Sequence, residues 1–280
     1  MLTRDMIRAA FEAACRQEIE ALKPGNVHLF ADGHCMSAEQ FLTSARVSSG
    51  PLTDPSLPLG KRIHEAVRAT RDAVATNTNL GILLLCGPLA YAAGMPGKDF
   101  RANIRMVLQA ITLQDTEAVF EAITLASPGG LGEAPAHDVR EKPKVTLLEA
   151  MRTAADRDMI AKQYIIDFAD IFDVGLPTIE TSLARGESGM WPAIRVYLKF
   201  LTAFPDSHVL RKHGADTAAR LREEAIAVET QLDKIPAETA RIDKLLDFDR
   251  NLKARGINPG TSADLTVACL LVHTLGRDLA

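Results

Sequence analysis

The chain has 280 residues, 47% of them hydrophobic and 24% charged, which excludes a disordered protein and predicts a sizeable core. A formal net charge of −4 excludes the broad basic surface of a nucleic-acid-binding protein, so a phosphate site would depend on a few locally placed Lys and Arg residues. The N-terminal segment lacks the apolar stretch of a signal peptide, and the longest apolar run, Leu80–Met95, is too short and too rich in Gly and Pro to span a membrane. We therefore expect a cytoplasmic protein without a membrane or nucleic-acid partner.

Apolar residues recur at helical intervals along almost the whole chain. In Leu59–Thr76, for example, Ile63, Ala66, Val67 and Val74 fall on one helix face. The two-residue alternation of β-strands is missing, and aromatic residues make up only 5% of the chain. The pattern predicts an all-α fold of about ten to twelve helices. No long linker or change in composition divides the chain, so residues 1–280 are predicted to form one compact multi-helix domain with long functional loops.

Three helix starts are indicated by capping residues. Ser37-x-x-Gln40 and Thr146-x-x-Glu149 each precede an apolar-periodic run and have the spacing of a capping box. Asp115 is predicted to cap a helix over Thr116–Ala126. These positions therefore have a structural explanation.

The four cysteines are widely spaced and include no C-x-x-C pair, which argues against a zinc knuckle and against structural disulfide bonds. Cys15, Cys86 and Cys269 lie in apolar helical segments and are predicted to be core residues. Cys35 lies in a polar loop.

Four loops contain residues that helix connections do not require. The first, residues 23–34, begins with KPGNVH. Its proline and glycine favour a turn after a helix, where Lys23 would cap the last carbonyl groups. Alternatively, the turn presents the ammonium group of Lys23 and the amide of Asn26 to an anionic ligand. His28 and His34 would suit a metal, although no third ligand is fixed beside them.

The second loop, NTNLG at residues 77–81, precedes the apolar segment Ile82–Ala93. Its side chains would cap the flanking helices. Because the following helix is apolar enough to be buried, its N-terminal N–H groups would also suit phosphate. Glu65 and Asp72 share one face of the preceding helix, where the structural explanation is pairing with Arg68.

The third loop, DSHVLRKHG at residues 206–214, contains a carboxylate, two histidines and two cations. Asp206 and Gly214 are residue types that begin and end a short helix, and Arg211 and Lys212 are favourable near its C-terminus. Each of these residues has a structural explanation by itself. The structural explanations account less easily for the presence of all of them in one short segment.

The fourth loop, GINPGTSAD at residues 256–264, precedes the apolar segment Leu265–Leu275. Thr261 and Asp264 have the spacing of a capping box, with Asp in place of the usual Glu, so helix initiation explains Asp264. The functional alternative is that Asp264 faces a shared cavity and holds a metal or a sugar hydroxyl. Separately, the irregular segment Ser127–Pro143 is long enough to be expected to have a functional role.

The ordered set of loops resembles the ATP:dephospho-CoA triphosphoribosyltransferase family. The resemblance rests on KPGNVH and GHCM within residues 23–36, GKRIHEAVRATRDAVATNTNLG at 60–81, DSHVLRKHG at 206–214 and GINPGTSADL at 256–265. Each motif is weak alone, but their order along most of the chain is specific. The segment SPGGLGEAPAHDV at 127–139 resembles an archaeal and methylotroph-like branch of the family.

The resemblance implies an all-helical transferase that uses ATP and 3′-dephospho-CoA. The 2′-hydroxyl of dephospho-CoA attacks C1′ of the ATP ribose and expels adenine, and the triphosphate stays on the transferred sugar. Charge develops at C1′ as in an oxocarbenium ion. Mg²⁺ would accompany the phosphates through one or two carboxylates and water molecules.

The resemblance also implies roles for individual loop residues. Phosphate is expected on Lys23, Arg211 and Lys212. A cradle at a helix start is expected from Asn77, Asn79 and Gly81. The candidates for Mg²⁺ or for the base are Glu65, Asp206 and Asp264, and the acid/base groups of second choice are His28, His34 and His208, of which His208 is expected to be catalytic. Further substrate contacts are expected from Gly25, Asn26, Thr78, Asn258, Gly260 and Thr261.

The chain departs from the family pattern at charged positions. Cys35 stands where the family tends to have a carboxylate, Leu80 where it has a basic residue, and His28 where it typically has an aspartate. A related nucleotide-dependent transferase with another acceptor, for example in pterin-linked one-carbon metabolism, is therefore the second hypothesis. A non-enzymatic helical binding protein is the third, and it predicts loops that point in different directions. A homodimer is expected only from the general frequency of symmetric oligomers.

Overall fold

The computed structural model describes residues 1–97, 99–128 and 138–279. Within these ranges the chain forms fourteen α-helices and one π-helical turn, and its only β structure is two isolated bridges. This confirms the all-α prediction, although the predicted number of helices is too low because several are only seven to nine residues long. The helices are α1 (Arg4–Glu20), α2 (Ala38–Leu52), α3 (Leu59–Val74), α4 (Leu80–Ala93), α5 (Phe100–Gln109), α6 (Leu113–Ala126), α7 (Leu147–Ala154), α8 (Met159–Ile165), α9 (Leu176–Ala184), α10 (Trp191–Ala203), α11 (Ser207–His213), α12 (Ala215–Leu232), α13 (Glu238–Ala254) and α14 (Gly260–Leu279), and the π-helical turn is Ile171–Gly175.

Helices α4 and α14 form the centre of the fold. α4 is buried on almost all sides, as its nearly uninterrupted apolar sequence predicts, and it packs against α14, α3 and α5. α14 also contacts α1 and α10. Cys15, Cys86 and Cys269 are buried in this core as predicted, whereas Cys35 is exposed. Among the described helices, none has both the length and the apolarity needed to cross a membrane.

A proline inside α4 requires a compensating hydrogen bond. Pro88 has no N–H group to donate to the carbonyl of Leu84, one helical turn earlier. The hydroxyl of Tyr164 in α8 donates to that carbonyl oxygen at 2.7 Å instead. The buried polar group is therefore satisfied, and α8 is attached to α4 beside the loops of interest.

The predicted helix starts are largely observed. Ser37 and Gln40 form a capping box on α2, and Thr146 and Glu149 form one on α7. The prediction for Asp115 is wrong in position, because α6 begins at Leu113 with Thr112 as its N-cap. Asp115 completes that capping box from the third helical position and also accepts a hydrogen bond from the backbone N–H of Gly60 at 2.8 Å.

Candidate active site

The four loops converge on one cavity of about 830 Å³. Its walls include Asn26 from the first loop, Gly81 from the second, His208 from the third and Asp264 from the fourth. The hypothesis of a non-enzymatic binding protein predicts loops that point in different directions, whereas in the structure the loops meet at one cavity. Convergence of polar groups from distant parts of the chain in one cavity is typical of a ligand site.

The start of α14 is in contact with each of the other three loops. The amide of Asn26 donates to Oδ1 of Asn258 at 2.8 Å, which joins the first loop to the fourth. Thr261 Oγ1 accepts from the backbone N–H of His208 at 3.1 Å and joins the third loop. In the second loop, Gly81 lies directly against the carboxyl group of Asp264. The geometry of the cavity therefore depends on the first turns of α14.

The first loop is held from behind by α13. Gly25 has φ +83°, and a Cβ there would come within 2.9 Å of Pro259, so both backbone conformation and close packing require glycine. Its N–H donates to Oδ1 of Asp249 at 2.8 Å. Asp249 also lies 3.2 Å from Nε2 of His28 and 3.1 Å from Nζ of Lys253. His28 is thus a buried partner of Asp249 and does not line the cavity.

Lys23 requires a correction to its predicted role. Its side chain has no exposed surface, and its ammonium group forms an ion pair with buried Glu18. The same group donates to Asn26 Oδ1 at 2.9 Å and to the carbonyl oxygen of Val27 at 2.7 Å. A lysine has three N–H donors, and these partners occupy all of them, so none remains for a phosphate. Lys23 instead balances the charge of Glu18, which lines the cavity.

Asp206 also requires a correction, because its carboxylate is fully used within the protein. Oδ1 accepts the N–H groups of His208 and Val209 at 3.0 and 3.1 Å. Oδ2 accepts the N–H and the hydroxyl of Ser262, both at 2.8 Å. A carboxylate offers about four acceptor sites, so none is left for a metal or a substrate proton. Asp206 caps α11 and bonds the start of α14 at the same time, which explains why it is buried.

Asp264 differs from Asp206 because its carboxyl group has no hydrogen bond or ion pair within the described ranges. The side chain lines the cavity, and Oδ2 occupies the space that a Cβ of Gly81 would fill. Burial raises the pKa of Asp264 well above its usual range, and the neighbouring carboxyls of Glu18 and Asp206 raise it further. Since α14 begins at Gly260, Asp264 is one turn inside the helix and is not its cap.

His208 is another titratable group of the cavity with a perturbed pKa. Burial, followed by the charges of Arg211 and Lys212, lowers the pKa of His208 to about 4. Its ring lies against Gly260, where a Cβ would come within 3.1 Å of Nδ1. Gly260 and Asp264 are one turn apart on α14, roughly 6 Å along the helix axis, so His208 lies beside the turn of α14 that precedes Asp264.

The three predicted metal ligands do not form a site together. Glu65 does not line the cavity, and its carboxylate pairs with Arg68 and with His64 Nδ1 at 3.2 Å. The acceptor sites of the Asp206 carboxylate are all occupied, so Asp264 is the one predicted ligand that remains available in the cavity. No group of three His, Cys, Asp or Glu residues suited to a metal occurs in the part of the chain that the structure describes. The predicted metal pair of His28 and His34 does not form either. His28 is the partner of Asp249, and His34 Nε2 donates to the carbonyl oxygen of Gly25 at 2.7 Å.

The remaining predicted residues divide between the cavity wall and the layer behind it. Asn79 belongs to the layer behind, where its amide donates to Ser48 at 3.3 Å. Asn77 Oδ1 accepts from the N–H of Leu80 at 3.1 Å and so caps the start of α4. The residues in the wall are His34, Asn77, Thr78, Gly81, Arg211, Lys212, Asn258, Gly260, Thr261 and Asp264, together with Asn26 and His208.

Sequence reasoning missed a second, largely apolar wall and several charged groups. Helices α6, α7 and α8 supply the apolar wall through side chains such as Phe120, Met151 and Ile160. Arg71 and Arg157 also line the cavity. No local motif marks these residues, because the apolar face of a helix has the same sequence pattern whether it packs in the core or borders a cavity. Of the Ser127–Pro143 loop, residues 129–137 lie outside the described residues, whereas its two ends border the cavity.

Replacing Gly81 by Ala tests the contact with Asp264. The added methyl group would overlap the carboxyl group, so α4 or α14 has to shift, and we expect a loss of about 1–3 kcal/mol in the free energy of unfolding. Gly276→Ala is the matched control, since no atom lies within 4 Å of its added Cβ. That helical substitution should be neutral or stabilising by up to about 1 kcal/mol. Equal urea-unfolding midpoints for the Gly81→Ala variant and the native protein would contradict the contact.

Comparison with known proteins identifies the family of this chain. The family model for ATP:dephospho-CoA triphosphoribosyl transferase matches residues 4–280. A Pectobacterium carotovorum subsp. carotovorum (strain PC1) protein, provisionally named 2-(5″-triphosphoribosyl)-3′-dephosphocoenzyme-A synthase, is 23% identical over 271 residues, covering 96% of this chain and 78% of that protein. A crystal structure from Archaeoglobus fulgidus, provisionally described as a triphosphoribosyl-dephospho-CoA synthase, has the same fold, with a TM-score of 0.64 and 24% identity over 84% of this chain and 99% of that one. The chain therefore belongs to the ATP:dephospho-CoA triphosphoribosyl transferase family and is a transferase enzyme.

Proposed function

We propose that this cavity transfers the 5-triphosphoribosyl group of ATP to the 2′-hydroxyl of 3′-dephospho-CoA and releases adenine. Family membership supports the reaction. The observation that supports this location is the convergence of all four loops on the start of α14, with a carboxyl group and an imidazole exposed to the same cavity. Such a pair suits a reaction that removes one proton and supplies another.

The reaction requires one proton to leave the acceptor and one to reach the leaving group. The bond between C1′ and N9 of ATP breaks, and a bond between C1′ and the acceptor oxygen forms. The hydroxyl loses its proton, and adenine gains one as it departs. Charge develops on the sugar in between, so the acid and the base have to be present before the bond breaks.

Asp264 suits the role of the acid. Burial and neighbouring carboxyls raise its pKa, so that at neutral pH the carboxyl retains its proton more than an exposed aspartic acid does. A protonated carboxyl is able to donate to a ring nitrogen of adenine. Asp264 lies against Gly81 at the start of α4, in the wall of the cavity.

His208 suits the role of the base. With a pKa of about 4, its imidazole is neutral at pH 7 and has a nitrogen able to accept the hydroxyl proton. Burial thus lowers the pKa of His208 and raises that of Asp264, so the environment shifts the two groups in opposite directions. Environments that push two pKa values apart in this way are typical of acid–base pairs in enzymes.

The two walls suit different parts of the substrates. The apolar wall of α6, α7 and α8 offers contact area for an adenine ring or for the pantetheine arm of dephospho-CoA. The opposite wall is polar and carries Asn26, Asn258 and Thr261, which suit sugar hydroxyl groups. Both substrates would therefore be held with their sugars near α14.

Mg²⁺ fits this cavity only as a companion of the triphosphate. The described residues do not assemble three ligands, and Mg²⁺ in nucleotide sites is commonly held by substrate phosphates and water with one or two carboxylates. We therefore propose that it enters with ATP and neutralises phosphate charge. A homodimer and a cytoplasmic location stay predictions from the sequence.

An assay of adenine release tests the reaction. The protein is incubated with ATP and Mg²⁺, with and without dephospho-CoA, and the products are separated by chromatography. We expect free adenine only when dephospho-CoA is present, because its hydroxyl is the nucleophile. ADP or AMP in place of adenine would contradict the proposal and indicate phosphoryl or adenylyl transfer.

A further inference from the structure

Cations and carboxyl groups occupy different depths of the cavity. Arg71, Arg157 and Lys212 line it and are exposed to solvent. Glu18 lines it but is only 2% exposed, and Asp264 is also more buried than the cations. The three residues, here called the mouth cations, thus belong to the exposed part of the cavity lining, whereas the lining carboxyl groups, which also include Asp138 and Asp158, are more buried.

The mouth cations come from three separate elements. Arg71 is in the last turn of α3, Arg157 is in the turn between α7 and α8, and Lys212 is in α11. Chain segments this far apart place their charges around one opening only because the fold brings them together. Neither a shared helix face nor a local motif accounts for the arrangement.

No carboxylate forms an ion pair with the mouth cations within the described ranges, although Asp138 and Asp158 line the same cavity. Arg71 and Lys212 form no ion pair there, and the only side-chain bond of Arg157 is to the carbonyl oxygen of Thr153 at 3.3 Å. Their neighbour Arg211 differs, since it lies 3.4 Å from Asp158. Exposed cationic side chains that have no ion-pair partner and line one cavity attract an anion.

We propose that Arg71 and Arg157, with Lys212, hold the triphosphate of ATP at the mouth of the cavity. This inference rests on the proposed function for the identity of the ligand. It keeps the predicted phosphate role of Lys212 and assigns to Arg71 and Arg157 the role that the sequence predicted for Lys23. Guanidinium groups match phosphate oxygens in a two-pronged geometry. Two arginines from separate elements would bind the phosphates and leave the ribose directed inward, toward Asp264 and His208.

Inorganic tripolyphosphate is the probe that separates this inference from the proposed reaction. Its binding, measured by isothermal titration calorimetry, needs neither an acceptor nor turnover. The test variant is Arg71→Ala/Arg157→Ala. The matched control is Arg68→Ala/Arg152→Ala, which removes the same charge from the same two helical regions at positions that do not line the cavity.

We expect the test variant to bind tripolyphosphate at least about tenfold more weakly than the native protein, because two charge-assisted contacts are lost. The control variant should stay within about twofold, since long-range charge effects are screened. The KM for ATP should rise more than kcat falls in the test variant, as expected for lost binding contacts.

Equal affinities of the two variants, or no tripolyphosphate binding by the native protein, would overturn the inference. Because all four side chains are exposed, both variants are expected to fold, and the single variants Arg71→Ala and Arg157→Ala, each weaker in binding, provide the same test if the double variant does not. If adenine release fails but tripolyphosphate binding depends on Arg71 and Arg157, only the proposed reaction is wrong. Adenine release without that dependence would refute only the assignment of the mouth cations.

Discussion

Asp264→Asn should slow adenine release by about 10²- to 10⁴-fold, the contribution of a well-placed general acid, while the melting temperature stays the same or rises. The amide keeps the size of the side chain but cannot supply a proton. Stability should not fall, because the raised pKa of Asp264 means that folding disfavours its ionised form. The native protein therefore loses stability as pH rises through that pKa, and the amide has no such loss.

The pH profile of kcat/KM gives a second measurement on the same variant. In the native enzyme the rate should decline as pH rises through the raised pKa of Asp264, and should decline in acid as His208 becomes protonated near pH 4. The Asp264→Asn variant should lack the alkaline decline. Asp243→Asn, an exposed site on α13, is the control and should leave both limbs unchanged.

A different result would support the simpler explanation of Asp264 as a helix-capping residue. In that case Asp264→Asn would retain activity and lose on the order of 1 kcal/mol of stability, as capping substitutions do. The position of Asp264 one turn inside α14 argues against that result.

Asp206→Ala should be among the most destabilising single substitutions in this protein. It leaves the N–H groups of Val209 and Ser262 and the hydroxyl of Ser262 without their buried acceptor, while the N–H of His208 keeps only its bond to Thr261. Each unsatisfied group costs about 1–3 kcal/mol, so we expect a loss on the order of 3 kcal/mol or more in the free energy of unfolding. Activity should fall as well, because Asp206 fixes the third loop relative to α14.

Urea unfolding of Asp206→Ala and Asp99→Ala together measures this effect. Asp99 caps α5 alone, through one exposed bond of 2.9 Å to the N–H of Ala102, so its loss should cost only about 1 kcal/mol. Asp206→Asn should lie between the two, since one acceptor oxygen is retained. If Asp206→Ala instead were inactive with native stability, the sequence-based assignment of Asp206 to catalysis would be right and the structural role wrong.

The fold could be predicted from the sequence because its signals are local. Helical periodicity identifies the buried face of α3, where Ile63, Ala66 and Val67 are buried. Capping boxes identify the starts of α2 and α7. The uniform apolar character of Leu80–Ala93 identifies a helix surrounded by protein.

The site could be predicted only as a set of loops, because the function of each polar residue depends on partners far along the chain. Asp206 is saturated by Ser262, 56 positions away, and Asp249 reaches Gly25 across 224 positions. The ammonium group of Lys23 forms an ion pair with Glu18, and nothing in the sequence distinguishes Glu18 from an ordinary residue of helix α1. Conversely, the sequence around Arg71 and Arg157 is typical of solvated surface residues, and only the fold places both in the lining of one cavity.

The most direct test of the proposed chemistry follows the ribose of ATP into the products. ATP carrying ¹³C in the ribose is incubated with dephospho-CoA and Mg²⁺, and the masses of both products are measured by mass spectrometry. If C1′–N9 is the bond that breaks, the labelled sugar and all three phosphates will be found on dephospho-CoA, with one unlabelled adenine released for each. Label that remains attached to adenine would show that another bond of ATP is broken, and would contradict triphosphoribosyl transfer in this cavity.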